Sequence, residues 1–549
     1  MADLGTDSSA DAARSPSADG ARLSVPGPLR PADMAAPPLA SQSLSRRRFL
    51  LTGATTAAAS GLVLVAGRTL AASPSPIAPA PTPVSAPAAP TPAPNGPPAD
   101  TVVAFHSRPD LRPPVITVRA TASAGSESLF VAPRYGGTGP GVMIADADGE
   151  LVWLHRVPGR SATGIQPIQF RGGPAFWWWE GVIEAGLGDG EFVIMDATYR
   201  EISRVRAVAR PADLHDLQLT DRGTAYLFAM DRTVRGGVEI HDMLVQEVDA
   251  ETGRLAWEWR ASDHIALDEA TMPPPAEGAW DYIHLNSIGL DQDGDLLLSA
   301  RHTDAIYKVS RATGAIVWRL GGVRSDFALR PEAVFRRQHD ARRQADGTLS
   351  LFDNATSDAQ DPSARPRGLT FQLDELAGTA TVVRELRPPR PVDSSSQGNL
   401  SITDDGRATI GWGSGNLVTG YDASGTVAYD AAMPPGFSSY RAFRSLWTGR
   451  PIDAPVAVVE PGTDGALAWV SWNGATGIAD WELLAGEDPE ALRPAGRRPR
   501  RRALAAMPRS PVAAVVAVQA LDVSGHILGR SNVIVVAEAE AEARAGRQG

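Results

Sequence analysis

A polar residue that could do chemistry returns at the same place in one repeated phrase of this chain, and three times out of four it is histidine. The stretches are His215-Asp-Leu-Gln-Leu-Thr-Asp-Arg-Gly223, His284-Leu-Asn-Ser-Ile-Gly-Leu-Asp-Gln-Asp-Gly294, His339-Asp-Ala-Arg-Arg-Gln-Ala-Asp-Gly347 and Asn399-Leu-Ser-Ile-Thr-Asp-Asp-Gly406. Each runs into an Asp-x-Gly or Asp-Gly turn and then into apolar residues. A β-unit repeated by rotation would bring these side chains to one axis. Imidazoles there could act as nucleophiles, as general acids and bases, or as metal ligands. Asn286 adds an amide donor, and Arg301 adds a fixed charge with a planar fork that suits an anionic group. Three histidines could also hold zinc, but the neighbouring Arg301 disfavours a metal, so no metal and no cofactor is expected. A third reading is a propeller that only binds glycans or proteins.

The elements that must position these residues read as strands. A second phrase interleaves with the first: an apolar strand, an Asp or Ser, a Gly turn, and a second apolar strand that often ends in Trp. Examples end at Trp153, Trp257 and Trp318. These are hairpins, with Asp and Gly supplying the turn. The Asp/Ser positions 146, 196, 249, 310, 374 and 422 lie 50, 53, 61, 64 and 48 residues apart. That period fits four strands per blade, which predicts an all-β chain built around a six-bladed β-propeller over residues 101–451. Trp residues at the hairpin ends would fill the spaces between blades. Asp291-Gln-Asp293-Gly-Asp295 lacks the distal Glu of a calcium loop and reads as a turn.

After residue 452 the pattern changes to strands similar to a C-terminal fibronectin type III-like β-sandwich, predicted over 452–537. Arg497-Arg-Pro-Arg-Arg-Arg502 reads as a solvated loop between its strands. Residues 538–549 read as a disordered tail. Residues 1–72 read as a disordered N-terminus ending in a signal: Ser45-Arg46-Arg47-Arg48-Phe49-Leu50 before a weakly apolar run resembles a twin-arginine export signal. Residues 73–100 are a Pro/Ala linker. Export to the cell envelope or medium is therefore expected, with membrane contact only through an uncleaved signal.

Composition removes several classes. The 549 residues include no cysteine, which excludes disulfides, thiolate metal sites, a Cys nucleophile and a lipobox anchor. A net charge of −11, from 52 basic and 63 acidic residues, gives no general electrostatic case for nucleic acid. Lys308 is the only lysine.

The site residues resemble those of the bacterial arylsulfate sulfotransferase family, the type that needs no nucleotide sulfate donor. The resemblance rests on His215-Asp, His284-Leu-Asn286, Arg301, Ile316-Val-Trp-Arg-Leu-Gly-Gly322 and Gln338-His339-Asp340. Trp178-Trp179-Glu180-Gly181 and Ser438-Ser-Tyr440-Arg441 look like motifs of its actinobacterial and fungal branch. It covers roughly residues 133–451. The resemblance implies a six-bladed propeller with its site in the central channel, an aryl sulfate donor and a phenolic acceptor. His339 matches the histidine that is transiently sulfated. His284, Asn286 and Arg301 match residues that hold the sulfuryl oxygens, and His215 matches a further channel histidine. Asn399 and the serines at 394–396 stand nearest to a threonine the family uses. Trp178, Trp179 and Tyr440 are candidate walls for the aryl rings. Two departures mark distance from better-studied members: the sandwich follows the propeller instead of preceding it, and the disulfide is missing.

Overall fold

The Asp–Gly turns that punctuate the sequence do the same work at each site. Asp146 Oδ1 accepts the N–H groups of Asp148 (3.1 Å) and Glu150 (2.9 Å), and Gly149 takes φ +85°. Asp422 repeats this with Ser424 and Thr426. A carboxylate that closes its own turn, followed by a residue free to adopt positive φ, fixes a tight hairpin.

The computed structural model describes residues 97–121, 125–136, 139, 141–355, 364–462, 465–500, 505–508 and 513–537. The expected twin-arginine signal and the C-terminal tail lie outside them, as does the Pro/Ala linker up to residue 96. No helix among these residues is long and apolar enough to cross a membrane.

The fold is all-β. Among the described residues, most strands between 128 and 445 fall into antiparallel ladders of four; Ala328–Leu329 adds a parallel fifth strand beside Thr379–Leu386, Thr117–Ala120 an antiparallel fifth beside Val427–Ala432, and Arg134–Tyr135 and Phe437–Ser438 form a separate pair. One ladder runs Leu285–Leu290, Leu296–Ala300, Ala305–Val309 and Ile316–Gly321. The next runs His339–Arg343, Leu349–Asp353, Arg367–Asp374 and Thr379–Leu386, and the next Asn399–Ile402, Ala408–Gly411, Leu417–Tyr421 and Val427–Ala432. Ser161–Phe170 opens another ladder and Ala212–Leu219 a fifth, these two being joined by the single pairing Ala212↔Gly190. The remaining ladder takes its first strand, Ala442–Ser445, from the far end of the chain and pairs it with Ser128–Val131. Contacts link first strands of successive ladders, and Asn399 bonds the backbone of Ala442 with both amide atoms.

Apolar residues fill the spaces between neighbouring ladders. Trp318 packs edge-on to Phe327 (5.4 Å, 87°) in a cluster that joins the ladders beginning at 285 and 339. Trp412 meets Phe352 at 5.7 Å between the ladders beginning at 339 and 399. Such pairs contribute about 0.5–1.5 kcal/mol beyond the burial of area.

Beyond residue 445, Val456–Gly462, Gly465–Ser471 and Ala505–Pro508 form one sheet. Asp480–Gly486, Arg493–Pro499, Val515–Leu521, Ile527–Arg530 and Ile534–Val535 form another. Val459, Val470, Trp481 and Val518 share the core between them. The arginine run departs from expectation. Arg497 and Arg498 belong to an exposed strand, Arg493–Pro499, paired with Asp480–Gly486, and Arg497 meets Asp480 at 3.0 Å. The alternating partners across that ladder hold the segment extended where sequence alone suggested a loop.

Candidate active site

His215 lies in the first strand of its ladder, His339 begins one, and His284 immediately precedes one, so the repeat phrase places each at the inner end of its sheet. Tyr440 and Arg441 hold the corresponding place just before Ala442–Ser445. The side chains converge. His215 Nε2 lies 3.1 Å from His284 Nε2, and their rings meet edge to face at 4.6 Å. The Tyr440 ring lies between His215 (5.7 Å) and His339 (6.3 Å). His215, His284 and His339 are all buried.

Each imidazole is held differently. His339 Nδ1 donates to Asn354 Oδ1 (2.7 Å), and Asn354 is itself oriented by its Nδ2 donating to the carbonyls of Ser394 and Gln397 (2.9 Å each). The proton is therefore on Nδ1, and Nε2 carries a lone pair, which accepts the Gln397 N–H at 3.2 Å. Burial, then the Arg301 charge, push the His339 imidazolium well below its ordinary range, so the ring is neutral. His215 Nδ1 meets Asp213 Oδ1, and His284 Nδ1 meets Asp281 Oδ2 at 2.5 Å. Asp213 is held in turn by the N–H groups of Gly188 and His215. Burial would raise the Asp281 carboxyl, but His284 and His302 hold it well below the usual carboxylate range.

Arg301 is set by pairing: its N–H donates to the His284 carbonyl and that of His302 to the Ile283 carbonyl, both at 3.0 Å. Its Nη1 lies 2.8 Å from His302 Nε2, its Nη2 reaches Ser395 O at 3.2 Å, and its buried Nε has no protein partner. His302 Nδ1 donates to the Asp281 carbonyl at 2.6 Å. Burial, reinforced by His284, lowers the His302 pKa to about 3. Asn286 commits an amide N–H to Gln338 O (2.8 Å), leaving its Oδ1 without a partner. The Tyr440 hydroxyl is also unpartnered, and burial raises its pKa, so it is a neutral phenol.

The backbone here is strained. His284, Asp304, Arg337, Asp340 and Gln397 all take φ between +51° and +67°, a region that costs non-glycine residues of order 1 kcal/mol or more and that gathers at functional sites. The aspartates that follow His215 and His339 turn away from the histidines. Asp216 takes Arg441 (2.8 Å) and Arg342 (2.7 Å), and Asp340 takes Arg342 (2.9 Å).

Other expected site residues lie apart from the histidines. Trp178 and Trp179 are successive residues of Gly173–Glu184 and so face opposite ways. Trp178 packs with Phe130 and Trp153, its Nε1 on Glu180. Trp179 sits in a slot where a Cβ at Gly181, Gly188 or Gly190 would come within 2.7 Å of its ring, and it shares a core with Tyr440. Asn399 has both amide atoms on the Ala442 backbone, at 2.9 Å each. Asp213, Asp281, His302, Asn354 and Gln397 were not anticipated. Asp213 and Asp281 carried a local signal, a carboxylate two or three residues before each histidine. Asn354 and Gln397 reach His339 only through folding.

Asp281, His284 and His302 also bring ligand atoms within 4.8 Å of one another, close enough for a metal ion. Arg301, 2.8 Å from the other nitrogen of His302, sets a fixed positive charge beside that position.

Residues 166–433 match the family model for arylsulfotransferases (ASST), which supports placing the chain in that family. No curated protein sequence matches the chain. Solved structures resemble it only distantly. A catalytically inactive virginiamycin B lyase from Staphylococcus aureus is 10% identical, with 65% of this chain and 97% of that one covered and a TM-score of 0.31. The GH43 protein BlXynB from Bacillus licheniformis is 9% identical, over 70% and 91%, with a TM-score of 0.30. AztD of Citrobacter koseri is 11% identical, over 59% and 99%, with a TM-score of 0.29.

Proposed function

We propose that this chain is an exported arylsulfotransferase with a six-bladed propeller and a fibronectin type III-like C-terminal domain, and that it moves a sulfuryl group from an aryl sulfate to a phenol through a sulfohistidine at His339. The family match supports the reaction class. The observation that carries the mechanism is the state of His339: neutral, with its proton fixed on Nδ1 by Asn354 and its lone pair on Nε2.

In the first half-reaction Nε2 attacks sulfur, the N–S bond forms and the S–O(aryl) bond breaks. The sulfated ring keeps its Nδ1–H on Asn354. A proton from the His215–His284 pair meets the departing phenolate. Arg301 neutralises charge on the equatorial oxygens of a loose transition state, by analogy with phosphoryl transfer. The acceptor phenol then gives its proton back to the pair, attacks sulfur, and releases His339. For sulfur to approach, the Gln397 N–H must leave Nε2, and it is then placed to donate to a sulfuryl oxygen. Tyr440, beside both His215 and His339, is the aromatic wall nearest the chemistry. The three arginines at 46–48, before the apolar run that begins at residue 51, support export, and the motifs at 178–181 and 438–441 support the actinobacterial and fungal branch.

Incubation of the protein with p-nitrophenyl sulfate, with and without phenol, tests this. The expected result is nitrophenol release that rises with phenol, together with a sulfuryl adduct on the His339 peptide. Release without an adduct would remove the covalent step. A second reading, hydrolysis by a metal on Asp281, His284 and His302, rests on their clustering. It requires bound metal in the purified protein and loss of turnover on chelation.

A further inference from the structure

A hydroxyl buried without a partner works against folding. Desolvation strips its water, nothing replaces it, and a phenylalanine of the same shape is the more stable choice. Tyr440 is such a case. It is buried in the cluster that holds Trp177 and Trp179, and no atom of the described residues bonds its hydroxyl. The ring alone would serve packing, so the oxygen needs another account. Its surroundings supply one. The ring stands between those of His215 (5.7 Å) and His339 (6.3 Å), and near enough to Arg301 for the two to interact electrostatically. Arg301 brings a second open donor, its buried Nε–H, and the Gln397 N–H already meets His339 Nε2 at 3.2 Å. A phenol O–H, a guanidinium N–H and a backbone N–H are thus brought to the His339 end of the site. A sulfuryl group on its way to Nε2 presents three oxygens, and fixed donors suit the charge they carry.

We propose that the Tyr440 hydroxyl is a substrate-binding donor, which holds one oxygen of the R–SO3 group beside the Arg301 Nε–H and the Gln397 N–H. The inference rests on the sulfuryl-transfer reading for the identity of that group. Tyr440 is then more than a wall for the aryl ring: its oxygen is kept, at a cost in stability, to recognise the anion. No bond to Tyr440 forms or breaks, and its proton stays on oxygen throughout, so it has no share in the acid–base step.

Tyr440→Phe keeps the ring and removes only the oxygen. Its melting temperature should be unchanged or raised, because an unsatisfied group is lost. Its kcat/KM for p-nitrophenyl sulfate should fall by about 10- to 100-fold, the worth of a hydrogen bond to a charged group. An unchanged kcat/KM would overturn the proposal. So would a lowered melting temperature, since the hydroxyl would then be holding the fold. Binding of benzenesulfonate gives a readout independent of turnover: it offers the same three oxygens on a carbon–sulfur bond that cannot be transferred. Calorimetry should show the wild type binding it and Tyr440→Phe binding it about 10-fold more weakly or worse. No binding by the wild type, or equal affinities, would remove the hydroxyl from anion recognition. If benzenesulfonate distinguishes the two proteins while the wild type transfers nothing from any aryl sulfate, the transfer reading fails and the recognition stands.

Discussion

The strand Leu285–Leu290 has two unlike ends. At the turn end of Leu285–Leu290, Asp291 receives Lys308 (2.8 Å) and Arg343 (2.7 Å), Lys308 also reaches Asp293 (2.6 Å), and Arg343 reaches Glu375 (3.1 Å). These charges meet opposite ones, with Lys308 set between Asp291 and Asp293. At the start of the same strand the partners are imidazole against imidazole and arginine against histidine, with donors left over and the backbone at positive φ. Buried polar groups in folded proteins are nearly all satisfied, and the exceptions gather where function needs them. The charges at the turn end are arranged for stability and those at the histidine end for reaction.

The comparison can be broken most directly at His339. His339→Ala should reduce transfer from p-nitrophenyl sulfate by about 1,000-fold or more while leaving the melting temperature within a few degrees, since covalent catalysis is lost and little packing is. A variant with unchanged turnover would remove His339 from the chemistry. Lys308→Met should do the reverse. It takes one of two cations from buried Asp291, Arg343 remaining, and denaturant unfolding should show a loss of about 2–3 kcal/mol with kcat unaltered. Asn399→Ala sharpens the contrast among the ladders themselves. Its amide holds two backbone groups of Ala442, so unfolding should show a loss of roughly 2 kcal/mol. A matching fall in turnover would return Asn399 to the substrate.

A further effect appears in acid. His339 and His302 stay neutral in the fold, while in the unfolded chain they protonate below their ordinary value near 6.5. The unfolded state then binds more protons, so stability falls as pH drops from 6.5 towards about 3, where His302 begins to protonate in the fold. The slope is about 1.4 kcal/mol per pH unit for each such histidine. Denaturant midpoints of wild type and His302→Gln across that window should diverge, the variant being the flatter. Parallel curves would mean that His302 is charged in the fold.

Short-range chemistry was legible in the sequence. Asp146 and Asp422 close turns with their own backbone, and the hairpins followed from that alone. The convergence of His215, His284 and His339 followed from their shared place in a repeat. What could not be read was set by distance along the chain. Asn354 reaches His339 across a hairpin, and Gln397 arrives from the next ladder, 58 positions away. Trp178 and Trp179 read as surfaces for a ring because of their type. The alternation of a strand turns them to opposite faces, Trp178 into the cluster with Phe130 and Trp153 and Trp179 into a slot left by three glycines. Arg497 read as loop because its run of like charge hides a ladder partner that only the neighbouring strand supplies.

The strand Ala442–Ser445 beside Ser128–Val131 has a further consequence, for synthesis. Glu127 and Arg444, which pair at this seam, stand 317 positions apart. At about 5–20 residues per second, translation leaves Ser128–Val131 without its second neighbour for roughly 15–60 s. An unpaired edge is an invitation to wrong partners. This one is four residues long, which offers a passing chain little to hold until its own late strand emerges.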